Sequence, residues 1–236
     1  MSRLILRAAL LGALATAPGA ARPTEIGAVG AVNPLTTGLP PAAAEPRRLV
    51  IADRVVQDEF IRSGPDGAAQ IMLLDRTTLT IGPSTEITLD RYIYDPERQS
   101  GEIGLSLLQG SLRFIGGLLT DEGEAEISAG EASVSVRGGV AHVSTEDAVT
   151  RVIFIAGRSA RVEAGGETVT VSRPGAVVAV RPDATGRVAP VFEGVASPEE
   201  IAAAFQSLLT PGDGGARLDA GAGFAGAGTA DARGAP

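Results

Sequence analysis

From residue 47 to about residue 195 apolar and polar residues alternate with a period of two, and that single feature rules out most folds. Alternation places every second side chain on one face of an extended segment, whereas a helix needs a 3.6-residue period. "TLTIG" puts Leu79 and Ile81 on one side, "EITLD" does the same with Ile87 and Leu89, and "EIGLSLL" aligns Ile103, Leu105 and Leu107. In "SLRFI" the apolar parity shifts to Leu112 and Phe114, so a bulge or turn is required across Leu108-Gln109-Gly110, where Gly110 tolerates one. Further along, "RVIFIAGRSARVEAGGETVTVSRPGAVVAV" reads as four strands, with Gly165-Gly166 as a hairpin signal. Strands at this spacing predict an all-β fold of short antiparallel strands, either a β-sandwich or a β-solenoid-like domain. One helix is expected over 195–210. Ser197 can cap it, Pro198 suits the first helical position, Glu200 completes a capping box, and Ile201, Phe205, Leu208 and Leu209 share a face.

The flanks have a different character. "MSRLILRAALLGALATAPGAA", residues 1–21, joins Arg3 and Arg7 to an apolar run too short to span a bilayer, and small residues follow. It is read as a secretory signal, with cleavage after Ala15 or Ala21 both open, so the mature protein is expected to be periplasmic or secreted and without a transmembrane span. Residues 22–46 are rich in Pro, Ala and Gly and are expected to be a flexible linker. Residues 211–236 are Gly-Ala low complexity and are expected to be disordered. The folded part is then a β domain over 47–194 followed by the helix.

Composition limits the chemistry. Aromatic residues make up 3% of the chain, so the core must be aliphatic, and there is no Trp with which to build a sugar-binding platform. The absence of cysteine removes disulfides, thiolate metal sites and a Cys nucleophile. A net charge of −8, with every positive side chain an arginine, disfavours nucleic acid as a partner. His142 is the sole histidine and is read as a solvent-facing or hydrogen-bonded strand residue, since one imidazole supplies neither a zinc site nor a triad without its partners. The acidic stretch holding Asp121, Glu122, Glu124 and Glu126 lacks calcium-loop spacing and reads as a solvated loop. A carbohydrate hydrolase using Asp75, Asp90 or Asp95 is the least favoured of the functional readings, because it needs two of these carboxylates in one cleft. No cofactor, metal or catalytic residue is expected.

The order and spacing of several motifs resemble the FecR domain. They are Gly64-Pro65, the "DRTTL" stretch Asp75–Leu79, Gly82-Pro83, the "LDRYIYDP" stretch Leu89–Pro96, "LQGSLRF" over Leu108–Phe114, and the Val136–Gly139 bend. The resemblance extends over residues 47 to 181. Two departures stand out: Arg76 lies where the family usually has Gly, and Gly139 where Thr is usual. The best-known member is an inner-membrane regulator of iron-siderophore signalling with a cytoplasmic segment that contacts a sigma factor, and this chain is expected to have a signal peptide in place of that segment. The resemblance therefore implies an exported all-β interaction domain without sigma-factor control. The expected function is a non-enzymatic protein- or ligand-binding module of the bacterial cell envelope, with sensing or signalling as its context. Its partner would be an envelope protein or a glycan, and a structural or surface-matrix role is the alternative. Sheet edges near Arg137, Gly138 and Gly139, and near Tyr92 and Tyr94, are the candidate binding residues, because an edge can accept a partner strand.

Overall fold

The computed structural model describes residues 23–33 and 35–208; the expected signal segment and Gly-Ala tail lie outside them. The strands are β1 (Glu25–Val32), β2 (Thr36–Leu39), β3 (Arg47–Arg48), β4 (Arg54–Val56), β5 (Phe60–Ser63), β6 (Ala69–Leu73), β7 (Thr78–Ile81), β8 (Glu86–Asp95) and β9 (Ser100–Ile115). After a short helix α1 (Leu118–Glu122) come β10 (Ala125–Ala129), β11 (Ala132–Glu146), β12 (Val149–Ala164), β13 (Glu167–Val171), β14 (Ala176–Pro182) and β15 (Val188–Val195), then helix α2 (Pro198–Gln206). All fifteen strands belong to one hydrogen-bonded network, so the protein is all-β with a C-terminal helix, as its alternation predicts.

Three strands are much longer than expected, with β9 and β12 at 16 residues and β11 at 15. Each serves two neighbourhoods. The first half of β9 pairs with β8 and, in parallel, with β10, whereas its second half pairs with β7 and β11. The first half of β11 pairs with β10 and the second with β9, while β12 pairs with β14 at one end and β13 at the other. The long strands therefore join two sets of pairings within one network, and Phe114, Val143, Phe154, Ile127, Val134 and Val162 all belong to one buried core. Among the described residues β9–β10 is the one parallel pair, so the network is mixed rather than uniformly antiparallel.

The changeover in each long strand falls on glycine. Gly110 in β9 has φ +90°, at the parity switch visible in the sequence. In β11 and β12, Gly139 sits directly opposite Gly157, with φ values of +125° and +129°. A Cβ on Gly139 would lie 2.0 Å from Ala156 O, and one on Gly157 would lie 1.7 Å from Gly138 O. No side chain fits there, so the threonine that the family pattern places at 139 would collide with backbone in this chain. The other departure has the opposite sense: Arg76 takes φ +72°, a left-handed conformation natural to glycine.

Within the span expected to be a flexible linker, Glu25–Val32 and Thr36–Leu39 are strands. The first, β1, lies between β4 and β6, and the second, β2, pairs with β3 and β5. Ile26 and Val29 are buried, and Thr36 is buried with its hydroxyl donating to Ala68 O at 3.2 Å. The pattern is hard to see because Gly and Ala dilute it and a bulge between Val29 and Ala31 breaks the alternation. The helix runs over Pro198–Gln206, shorter than the expected 195–210, and its capping box is formed by Ser197 and Glu200 as the sequence predicts.

Gly157→Ala is expected to destabilise the protein by about 2–5 kcal/mol, combining steric overlap with backbone strain. Arg76→Gly is expected to stabilise it by about 0.5–1 kcal/mol through relief of the left-handed conformation. Chemical denaturation of the two variants beside the parent checks both signs.

Candidate functional site

Arg137, Gly138 and Gly139 form the bend of β11 and rest against α1. Arg137 is exposed and its Nη2 donates to the Glu122 carbonyl at 3.3 Å, while Gly116 N donates to Gly139 O at 2.8 Å. The guanidinium thus secures the end of a short helix, and the two glycines serve the corner.

Tyr92 is buried, which corrects its reading as a contact residue on an edge. Its hydroxyl accepts from Asp75 N at 2.8 Å and donates to Asp75 Oδ1 at 3.3 Å. The Asp75 carboxylate, also buried, accepts further from Thr77 N at 3.1 Å, Thr77 Oγ1 at 2.7 Å and Leu119 N at 3.2 Å. Burial and the neighbouring Asp75 charge hold the Tyr92 hydroxyl well above its ordinary pKa. Three residues of the family pattern, Asp75, Thr77 and Tyr92, therefore meet in one polar knot that fastens the β6–β7 turn to β8 and α1. Tyr94 is half-buried, its ring centroid 6.3 Å from that of Tyr92, and Ile93 between them is 56% exposed.

The carboxylates considered for sugar hydrolysis do not converge. Asp75 is saturated in the knot, Asp90 accepts from Ser106 Oγ at 2.6 Å, and Asp95 caps the β8–β9 turn through Glu97 N and Arg98 N. Asp90 lines a shallow groove of about 530 Å³ across β8–β12 with Glu102, Glu124, Glu126 and Glu163. Arg91 pairs with Glu102 at 3.0 Å and Arg161 with Glu124 at 3.1 Å, so much of that acidity is neutralised locally. Among the described residues no three histidine or carboxylate side chains are grouped to hold a metal ion.

His142 is buried rather than solvent-facing. It lies on the outer face of the sheet, opposite Arg113 on β9 and Ile153 on β12, and α2 covers it. It is 5% exposed, and among the described residues its Nε2 has no hydrogen-bond partner. A cavity of about 250 Å³ separates it from the helix, lined also by Ser144, Arg151, Glu200 and Ser207. Burial, then the positive charges of Arg151 and Arg113, lowers the imidazole to about 4. Alternation could place His142 and Arg113 together on the outer face; nothing in the pattern showed that a helix would cover that face.

Two predictions follow from these networks. Tyr92→Phe is expected to cost about 1–3 kcal/mol, because it leaves buried Asp75 groups short of a partner. The unfolded chain binds a proton at His142 below about pH 6.5 and the folded chain does not until about pH 4. Stability is therefore expected to fall by about 3 kcal/mol as pH drops through that window. His142→Gln should remove that part of the acid limb, and urea denaturation at several pH values shows whether it does.

Two crystal structures of a candidate anti-sigma factor from Parabacteroides distasonis resemble this chain with 19% identity and a TM-score of 0.47. The likeness covers 62% of this chain and 64% of that protein, so the chain spans under two thirds of its length. No curated protein matches the sequence. The family described as FecR protein matches residues 59–160, from the loop before β5 to the far side of the glycine corner in β12. The matched span holds the Asp75–Tyr92 knot and the Gly139–Gly157 contact, so the part of the chain that is similar to the FecR family contains both.

Proposed function

We propose that this chain is an exported, non-enzymatic protein-binding module of the bacterial cell envelope, acting in sensing or signalling. The observation that carries the reading is an open sheet edge inside the FecR-like segment. The β5 ladder covers Glu86–Thr88 of β8, and loop bonds between Asp58, Glu59 and Leu89 extend it by one residue. Beyond Leu89, among the described residues, β8 is paired on one side alone, by β9. Residues 91–95 thus present unpaired backbone groups beside exposed Ile93 and half-buried Tyr94. An unprotected edge of this kind accepts an extended segment by main-chain hydrogen bonding, with side chains on alternate positions adding selectivity.

The rest of the polar chemistry supports a scaffold. Asp75 holds a turn, Asp95 caps a hairpin, and Arg137 fastens a helix end. Export rests on the signal-like residues 1–21.

Crosslinking of the mature protein in envelope extract tests the proposal. It is expected to capture a protein through the β8 edge, and Ile93→Lys is expected to abolish that capture while leaving the melting temperature unchanged. Capture that ignores Ile93→Lys, or no capture from any envelope fraction, would overturn it.

A further inference from the structure

Helix α2 is assembled locally and docked weakly. Its N-terminus is made by the Ser197–Glu200 capping box, and only Ala196 and Ser197 separate it from β15. None of its residues from Pro198 to Gln206 is buried. Its apolar contact is a small cluster, apart from the main core, in which Ile201 and Ala204 pack on Ile153 and Val177. Just beyond the helix, Leu208 is buried and approaches Gly82 at the end of β7. The helix therefore crosses the outer face from β14 to β7.

What it covers is basic and incompletely satisfied. Among the described residues Arg113 has no carboxylate within salt-bridge distance; its Nε is buried without a partner, and its guanidinium lies over the Phe205 ring at 5.2 Å. Its remaining contact is a long hydrogen bond from Nη2 to Thr80 Oγ1 at 3.4 Å. His142 Nε2 is likewise unpartnered. Arg151 is held loosely, 3.7 Å from Glu193 and 3.6 Å from Glu200. Over His142 the helix presents Ala203, Ala204 and Ser207, which carry no charge. Thus α2 matches the strip at its acidic first turn and leaves it unmatched at its second half. A half-buried guanidinium without an anion, as at Arg113, is costly, and a carboxylate at that level would remove the cost and could also accept from His142.

We propose that the strip beneath α2 is a receptor for an acidic amphipathic helix of a partner protein, and that α2 occupies it in cis until such a helix displaces it. This rests on the reading of the chain as a protein-binding module and adds a second surface to it, separate from the β8 edge and marked by the unpartnered Arg113 Nε and His142 Nε2. The preferred ligand carries glutamate or aspartate at the positions equivalent to Ala203 or Ser207, together with an aromatic residue at that of Phe205.

The chain has no tryptophan, so Phe205→Trp in the full-length protein reports docking by its emission. The probe is a synthetic peptide of residues 196–208 with Ala203→Glu and Ser207→Glu. Titration is expected to shift the emission to the red saturably as α2 leaves, and Arg113→Gln is expected to weaken the peptide by roughly tenfold. Hydrogen exchange of the α2 amides in the unsubstituted protein, expected to quicken with peptide, covers the case in which Phe205→Trp itself undocks the helix. No change in either readout, or equal displacement with Arg113→Gln, would overturn the receptor. So would a red shift driven by protein concentration alone, which would identify a second copy as the occupant. Failure here with Ile93-dependent capture intact would leave the β8 edge standing, and the converse result would leave the receptor standing.

Discussion

The close approach of β11 and β12 at Gly139 and Gly157 is the constraint on which the remainder of the fold depends. At that point the two backbones come nearer than side chains permit, and β11 changes the parity of the residues it presents to the core. Gly110 accommodates the matching parity switch in β9. With those three strands adjusted in step, an aliphatic core with few aromatic residues becomes continuous.

The polar knot around Asp75 works with that corner. A carboxylate out of water is tolerable when its oxygens receive several donors, and here Thr77, Tyr92 and Leu119 supply them. Because these donors come from the turn after β6, from β8 and from α1, one side chain fixes the relative position of segments far apart in sequence. Glu59 plays a comparable part nearer the N-terminus. It is fully buried, its pKa raised by desolvation, with Arg47 Nη2 at 2.8 Å and Val56 N at 3.0 Å offsetting the cost.

Much of the architecture was legible in the residues. Leu79, Ile81, Leu112, Phe114, Val134 and Val136 are buried as their alternation requires, Gly165-Gly166 turns a hairpin, and Ser197, Pro198 and Glu200 start a helix. What escaped the sequence reading depended on long-range contact. The β1–β2 segment has the composition of a linker and becomes strand because β4, β5 and β6 flank it. The motif residues Asp75 and Tyr92 are seventeen positions apart, and spacing alone does not show that they touch. Tyr92 and Tyr94 share a parity, yet the first points into the knot and the second lies half-exposed near a free edge. His142 reads as an ordinary strand residue until a helix is laid over it.

The dual pairing of β9 also bears on how the chain reaches its native state. Ladders from β9 to β8 and β7 can form from residues that precede it, but each half of β9 gains its second neighbour only when β10 and β11 arrive. Little of the sheet can become stable while the corner is incomplete. Such a topology favours slow, cooperative acquisition of structure, with exposed strand edges persisting until β11 arrives.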